Sequence, residues 1–201
     1  NLLKKGFYFL LAATVLVACS DDDDAPVGPI DPGGGGNDHP LAGTSWSIAS
    51  QAGSLGVGPS VGDTSWWSLG EADVTTRACL LDDTYVFNAD GTFTQDMQGS
   101  TWLESWQEGA PEEGCGTPIA PHDGSNAATW SADSSTITIV GDGAFLGLAK
   151  VHNTAEDGNP ADDTIVYNYV LDGETLTVDI QGFNSGVPEA SWSFIFSKNW
   201  V

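Results

Sequence analysis

The segment TYVFNADGTFT, residues 84–94, decides the fold. Tyr85 and Phe87 alternate with other residues before a turn that contains Gly91, and Phe93 lies between two threonines after it. A period of two places successive side chains on opposite faces of a strand. A short Gly-containing turn between two such runs is typical of antiparallel strands. The segment therefore predicts a β-hairpin with one apolar face and one solvated face.

The same period of two recurs along the rest of the chain. It predicts further strands at Thr44–Ile48, Ala128–Ser131, Thr136–Val140, Thr164–Val170, Thr175–Ile180 and Ser191–Phe196. Short turns at residues 132–135 and 172–173 join neighbouring strands, and no convincing helical period follows residue 18. About eight antiparallel strands predict an all-β domain with long loops. It forms either an up-and-down barrel, which has no open edges, or a β-sandwich.

The charge balance is strongly acidic. The chain has 28 Asp and Glu residues against 5 Lys and Arg residues, which gives a formal net charge of −23. Nucleic acids and anionic lipid surfaces bind basic faces, so neither is an expected partner. The stretch from residue 41 to residue 201 is long enough for one domain with its own core.

The N-terminal residues predict export and a lipid anchor. Two lysines, at positions 4 and 5, precede an apolar run at residues 6–18. This run is too short to span a bilayer, but it suits a secretory signal peptide. LVAC, at residues 16–19, resembles the lipobox of bacterial lipoproteins. The resemblance implies acylation of Cys19 and removal of residues 1–18.

An acidic run follows the anchor cysteine and consists of Ser20, Asp21, Asp22, Asp23 and Asp24. Adjacent carboxylates repel one another and keep the chain solvated. CSDDDD also resembles the export signal of surface lipoproteins in the Bacteroidota. Because a Pro- and Gly-rich stretch continues to residue 40, residues 19–40 are expected to form a tether and residues 41–201 the folded domain. The predicted location is the outer-membrane surface, with membrane contact through the anchor only.

Two cysteines, Cys79 and Cys115, remain after lipidation of Cys19. An exported chain meets an oxidising compartment, where an even pair of cysteines indicates a disulfide. A metal site would require more thiols or imidazoles nearby, and a catalytic cysteine would require a base. The expected disulfide would stabilise the fold by roughly 4 kcal/mol in the chain-entropy model.

Longer motifs resemble known domains. GTSW at residues 43–46, TYVFNADGTFT at 84–94 and TWSADSSTITIV at 129–140 resemble lipocalin-like domains of Bacteroidota lipoproteins. The run at residues 62–93, with CGTPIAPHDGSNAATW at 115–130, is similar to noncatalytic modules attached to secreted glycoside hydrolase family 16 enzymes. These resemblances imply a lipocalin-like barrel and a role in polysaccharide capture, but they identify no ligand residue.

Two long insertions, residues 51–83 and 98–126, hold the candidate ligand residues, since long loops in a compact β domain are often functional. Indole faces stack on sugar rings, and neighbouring polar groups bind hydroxyls. The candidates are Trp66, Trp67, Trp102, Trp106, Asp63, Glu104, Gln107 and His122. Alternatively, these rings pack inward and hold the loops. Trp46, Trp130 and Trp192 fall in strands and are predicted to lie in the core.

Arg77 is the only arginine in the chain. We expect it to form a bidentate pair with a carboxylate, and recognition of an acidic sugar is the alternative. The pairs Asp82-Asp83 and Asp162-Asp163 leave room for calcium, although no EF-hand pattern is present. No other metal and no cofactor is predicted.

Catalytic motifs are weak. Residues 58–62 match G-x-S-x-G, but the strand–turn–helix context that this motif requires is missing, and the E-x-D-x-x-E motif of family 16 hydrolases is absent. We therefore predict a noncatalytic cell-surface lipoprotein that binds a polysaccharide or another small ligand. The alternative is a structural or assembly lipoprotein that binds a partner protein through the same aromatic loops.

Overall fold

The computed structural model describes residues 38–110, 112–151, 163–182 and 189–200. The predicted signal peptide, the lipidation site at Cys19, the acidic run and almost all of the tether lie outside these residues. Within the described part of the chain, no helix has both the length and the apolar character that crossing a membrane requires.

The structure is built almost wholly from antiparallel strands. In chain order they are β1 (Thr44–Ile48), β2 (Leu55–Gly58), β3 (Trp67–Ser68), β4 (Thr84–Phe87), β5 (Thr92–Asp96), β6 (Thr101–Leu103), β7 (Gly114–Gly116), β8 (Ala128–Ala132), β9 (Thr136–Val140), β10 (Thr164–Asp172), β11 (Thr175–Gln181) and β12 (Ser191–Lys198). Eight of them, β1, β4, β5 and β8 to β12, pair in that order, and β12 pairs back onto β1. The predicted all-β, lipocalin-like barrel is confirmed, and the sandwich alternative is wrong.

The hairpin at residues 84–94 forms β4 and β5. Tyr85, Phe87 and Phe93 face the interior and are at most 4% exposed. Asp90 holds the turn, because its carboxylate accepts hydrogen bonds from the backbone N–H and the hydroxyl of Thr92, at 3.0 and 2.7 Å. Gly91 follows with a φ of +85°, a left-handed conformation that glycine adopts without steric cost.

Aspartates close other turns in the same way. The carboxylate accepts the backbone N–H two residues further on in the pairs Asp63–Ser65, Asp123–Ser125 and Asp133–Ser135. At Asp133, hydrogen bonds from the backbone N–H groups of Ser135 and Thr136 favour the ionised carboxylate and lower its pKa to about 2. Some of the many aspartates therefore stabilise turns by accepting backbone hydrogen bonds.

The core fills the barrel. Trp46, Trp130 and Trp192 are 1%, 3% and 8% exposed, which confirms the prediction that these strand tryptophans are buried. The strands supply further inward-facing side chains, among them Ile139 and Phe196.

A segment between β9 and β10, Ala144–Val151, completes the core, and we call it the barrel plug. Its backbone is held by polar groups of inward-facing side chains. The Tyr85 hydroxyl donates to the carbonyl of Gly147 at 3.1 Å, and the Leu146 N–H donates to the Tyr167 hydroxyl at 2.9 Å. In lipocalins the interior of the barrel holds a small ligand. Here the chain's own plug contacts the interior side chains.

The two insertions lie beside the barrel. The first contains the β2–β3 hairpin, which extends the sheet from β12, and two short helices, α1 (Glu71–Thr76) and α2 (Ala78–Leu81). The sequence pattern predicts no helix here, and that prediction is wrong. Helices of six and four residues are too short to show a helical period in the sequence. In the second insertion, β6 and β7 form a separate two-stranded sheet.

Candidate functional site

The two insertions meet at the predicted disulfide. Cys79 on α2 and Cys115 on β7 are bonded, with Cα atoms 6.0 Å apart. A second attachment is a hydrogen bond of 2.6 Å from the Thr101 hydroxyl, at the start of β6, to the Asp83 carboxylate that follows α2. An isolated two-stranded sheet is marginally stable in water, so these attachments position the β6–β7 hairpin.

Arg77 lies at the same junction, between α1 and α2. Its guanidinium carbon is 3.7 Å from the ring centre of Trp102 on β6 and 5.2 Å from that of Trp67 on β3. Both distances fall within the range of cation–π attraction. The two rings therefore restrict where the guanidinium can lie.

Glu113 is the carboxylate partner of Arg77. The Nη2 atom of Arg77 donates to Oε1 of Glu113 at 3.3 Å. The predicted carboxylate partner is present, but the expected bidentate geometry is wrong, because this pair is joined by one hydrogen bond. The side chain of Glu113 is 46% exposed, whereas that of Arg77 is 16% exposed.

A groove with a volume of about 540 Å³ opens beside this ion pair. Its lining consists of Leu103, Gly109, Glu112, Glu113, Gly114, Cys115, Gly116, Thr117, Pro118 and Ile119. We call it the disulfide groove, because Cys115 forms part of its wall. Arg77 and the two indole rings do not line the groove, but they lie next to it, because Glu113 of its lining contacts Arg77 and Cys115 pairs with Trp102 across β6 and β7.

The chemistry of the disulfide groove suits a small polar ligand. Leu103, Pro118 and Ile119 offer apolar surface, and Thr117, Glu112 and Glu113 offer a hydroxyl and two carboxylates. The volume lies within the usual range for ligand sites, in which a few polar groups orient a ligand on an apolar lining. Carboxylates and backbone carbonyls can accept hydrogen bonds from sugar hydroxyls, while the apolar residues contact the C–H face of the ring.

The candidate tryptophans of the first insertion separate into different environments. Trp67 is half-buried and contacts Arg77, whereas Trp66 is 51% exposed. Asp63 lies on the β2–β3 loop, where its carboxylate binds the N–H of Ser65 in its own turn. Of the two rings, that of Trp66 is the more accessible to a ligand.

Trp102, in the second insertion, does not offer a stacking surface, and this part of the prediction is wrong. It is 8% exposed, and the guanidinium of Arg77 covers its ring. The reason is electrostatic: the face of an indole ring attracts a cation, and Arg77 occupies that position from within the same chain.

Of the remaining predicted residues, Glu104, Gln107 and His122 are buried and not accessible to an external ligand, whereas Trp106 is half-buried. Glu104, Gln107 and His122 are 2%, 7% and 5% exposed. Glu104 forms an ion pair of 2.8 Å with Lys150 of the barrel plug. Trp106 and His122 are in edge-to-face contact, with ring centres 5.5 Å apart. These residues pack the second insertion against the plug, as the alternative of inward-packed rings predicts.

Sequence reasoning missed the residues that line the groove. Thr117, Pro118 and Ile119 lack the alternation and the aromatic content that suggested a site elsewhere. Cys115 nevertheless indicated this region. A disulfide at the surface fixes the position of the strand that contains the cysteine and of the residues next to it in the sequence. The segment on both sides of that cysteine was therefore the better candidate.

Asp83 illustrates an unusual carboxyl group near the site. It is 1% exposed, and burial raises its pKa to about 8, although the hydrogen bond from Thr101 acts in the opposite direction. Asp82 beside it is exposed. Among the described residues, no three His, Cys, Asp or Glu side chains are grouped as a metal site requires. The other acidic pair includes Asp162, which lies outside the described residues.

In comparisons with known proteins, no family model matches the chain and no curated protein gives a significant match. The case for a function therefore depends on the geometry of the disulfide groove and of the residues around it.

Proposed function

We propose that the chain is a noncatalytic binding module of a cell-surface lipoprotein and that the disulfide groove binds a glycan or another small polyhydroxylated ligand. The observation that carries the proposal is the groove itself. It has the volume of a ligand site and combines apolar and hydrogen-bonding groups, and a disulfide holds one wall in place. The resemblance to polysaccharide-capturing modules supports the same ligand class.

A binding role without catalysis agrees with the environment of the acidic groups. A glycosidase needs one carboxylic acid whose surroundings keep it protonated at working pH. Glu112 and Glu113 are both exposed to solvent. Asp83 has a raised pKa of about 8, but it is buried beyond the reach of a substrate. Ser60, from the G-x-S-x-G match, lies in the loop after β2 rather than in a strand-to-helix turn.

The groove hypothesis is tested by filling the groove. Thr117 is exposed and lines it, so Thr117→Trp should block the site without disturbing the core. We expect binding of a soluble β-glucan, or of the best ligand from a glycan array, to weaken by at least about tenfold, equivalent to about 1.4 kcal/mol. The melting temperature should stay unchanged. Isothermal calorimetry and thermal melting measure the two quantities.

Thr129→Trp is the matched control. Thr129 is exposed on β8 and is absent from the groove lining, so the same bulk placed there should leave glycan binding intact. If Thr117→Trp and the parent bind glycans equally well, the groove is not the site. If the parent binds no glycan on the array, the glycan proposal itself fails.

A second candidate function, binding of a partner protein, is favoured by one specific observation. Val166 and Val170, on the outer face of β10, are 54% and 64% exposed. Exposed apolar side chains on one face are typical of protein contacts. If this function holds, Thr129→Trp, which lies on β8 two strands from β10 on the same outer wall, should disrupt capture of the partner, whereas Thr117→Trp should not.

The anchor is tested separately, since it concerns residues 19–24. Cys19→Ala should move the protein from the membrane fraction to the soluble fraction, because the acyl chains attach to its thiol and to the new N-terminus. Changing Asp21, Asp22, Asp23 and Asp24 to Ala should keep the protein in membranes but protect it from a broad-specificity protease added to intact cells. Membrane attachment of Cys19→Ala at the parent level would overturn the anchor proposal.

A further inference from the structure

We propose that Glu113 determines which charge class of ligand the disulfide groove accepts. By neutralising Arg77, Glu113 makes the groove select uncharged or cationic glycans and reject carboxylated ones. This inference rests on the proposed function, since it concerns the ligands of the same site.

Arg77 would otherwise be a ready anion site. Its guanidinium lies against the rings of Trp102 and Trp67, and its side chain is only 16% exposed. A guanidinium held against two rings has less conformational freedom to lose when a ligand binds than one on a free side chain. It can bind a carboxylate through two parallel N–H groups.

Glu113 occupies this position from within the chain. Its Oε1 atom is 3.3 Å from Nη2 of Arg77. The chain carries Glu113 to Arg77 at a high effective concentration, which for short connections is of millimolar order. An external carboxylate must displace this partner, and doing so would leave the Glu113 carboxylate beside the incoming one.

The remaining charges also oppose an anionic ligand. Glu112 lines the groove and is exposed, and neither ion pair of the described residues includes it. Once Arg77 and Glu113 cancel, the carboxylate of Glu112 leaves the site negative. The formal net charge of the chain, −23, adds a long-range field of the same sign. Sugars without charge are unaffected by this field, and amino sugars are attracted by it.

The variant Glu113→Gln separates the effect of neutralising Arg77 from the effect of the other negative charges. Glutamine keeps the length and shape of the side chain but removes the charge that neutralises Arg77. We expect affinity for an oligogalacturonate to rise by roughly tenfold, as a charge-assisted bond to Arg77 becomes available. Affinity for an uncharged galactan oligosaccharide of equal length should change by less than about twofold, since no charge is involved.

Glu112→Gln is the matched control. It removes an equal charge from the same groove without releasing Arg77, so the gain for oligogalacturonate should stay below about twofold at physiological salt. An equal gain in both variants would show that total charge, and not Arg77, sets the selectivity. That result would overturn the inference. Tight binding of oligogalacturonate by the parent chain would overturn it as well.

A spectroscopic measurement decides the inference even if no oligosaccharide binds. Arg77 is the only arginine in the sequence, so its Nε–Hε signal in a ¹⁵N NMR spectrum is unique. Titration with sodium glucuronate should move this signal in a saturable way in Glu113→Gln and leave it in place in the parent and in Glu112→Gln. Glucose should leave it in place in all three. Absence of the shift in Glu113→Gln refutes the role of Glu113, whereas absence of all glycan binding refutes only the proposed function.

Discussion

Asp83 shows how strongly one residue can depend on its surroundings. One carboxylate oxygen accepts the Thr101 hydroxyl at 2.6 Å, and the other has no hydrogen-bond partner among the described residues. Burial is the main cause of its raised pKa of about 8, and the nearby carboxylates of Asp82 and Asp96 raise it further. At neutral pH the group is therefore mostly protonated in the folded protein.

This residue should make stability fall with rising pH. The unfolded chain releases the proton near pH 4, while the folded protein keeps it to about pH 8. Between these values the folded state binds more protons, so the free energy of unfolding decreases by up to about 1.4 kcal/mol per pH unit. Asp83→Asn keeps an acceptor for Thr101 but cannot ionise. Its advantage over the parent should grow from pH 4 to pH 8, as measured by urea denaturation.

Asp82→Asn provides the comparison, because Asp82 is the exposed neighbour in the sequence. It should change the pH profile far less than Asp83→Asn does. Parallel profiles for the parent and Asp83→Asn would show that the buried carboxyl group is not protonated, and the proposed cause of the pH dependence would be wrong.

At the scale of elements, the barrel plug depends on Gly147. This residue has a φ of +87°, and a Cβ atom added to it would collide with the ring of Phe194 in the core. Its carbonyl also accepts the Tyr85 hydroxyl. The plug can therefore follow its path inside the barrel only if this position has no side chain.

Gly147→Ala should destabilise the fold by about 3 kcal/mol, since it combines overpacking with a left-handed backbone. Gly173→Ala is the control in the β10–β11 turn. That glycine has a φ of +59°, but a Cβ atom there meets nothing within 4 Å, so only about 1 kcal/mol should be lost. Chemical denaturation measures both. Equal losses would mean that the contact with Phe194 adds no cost.

The eight strands of the barrel could be predicted from the sequence, whereas the short strands β2, β3, β6 and β7 of the two insertions, the plug and the short helices could not. Residues 84–94 alternate because one face of the hairpin contacts the core and the other contacts water. In Ala144–Val151 every residue except Lys150 is buried, and only a single 3₁₀ turn, Ala149–Val151, is regular, so its apolar residues follow no period. The residues of α1 and α2 cover too few turns for a stripe to emerge.

At the scale of the molecule, one part of the barrel wall, formed by β8, β9 and β10, carries no charged side chain between Thr129 and Val170. The acidic residues lie mainly in turns and at strand ends, where several of them bind backbone N–H groups. The outward positions of β8, β9 and β10 between Thr129 and Val170 carry Thr, Ser, Asn and Val side chains. This part of the barrel wall is thus uncharged although the chain is strongly acidic, whereas β5 and β11 carry Asp96 and Asp179 at outward positions.

The candidate site was only partly predictable, because it depends on contacts between distant segments. The composition of the insertions pointed to the correct region, and the cysteine pair predicted their connection. Which candidate side chains stay accessible depends on two such contacts. Arg77 covers the ring of Trp102, and Lys150 forms an ion pair with the buried carboxylate of Glu104. A local pattern contains no record of such long-range pairs.

The position of the basic side chains also bears on resistance to proteolysis. Beyond residue 41 the sequence has only Arg77, Lys150 and Lys198, and residues 19–40, the predicted tether, include no Lys or Arg. Proteases of the trypsin type recognise a basic side chain in an acidic pocket. Here Arg77 is stacked against two rings, and Lys150 is paired with buried Glu104. An enzyme of that kind must first draw Arg77 or Lys150 out of these contacts before it can bind the side chain, so the same pairs that hold the insertions in place should also slow cleavage at these two positions.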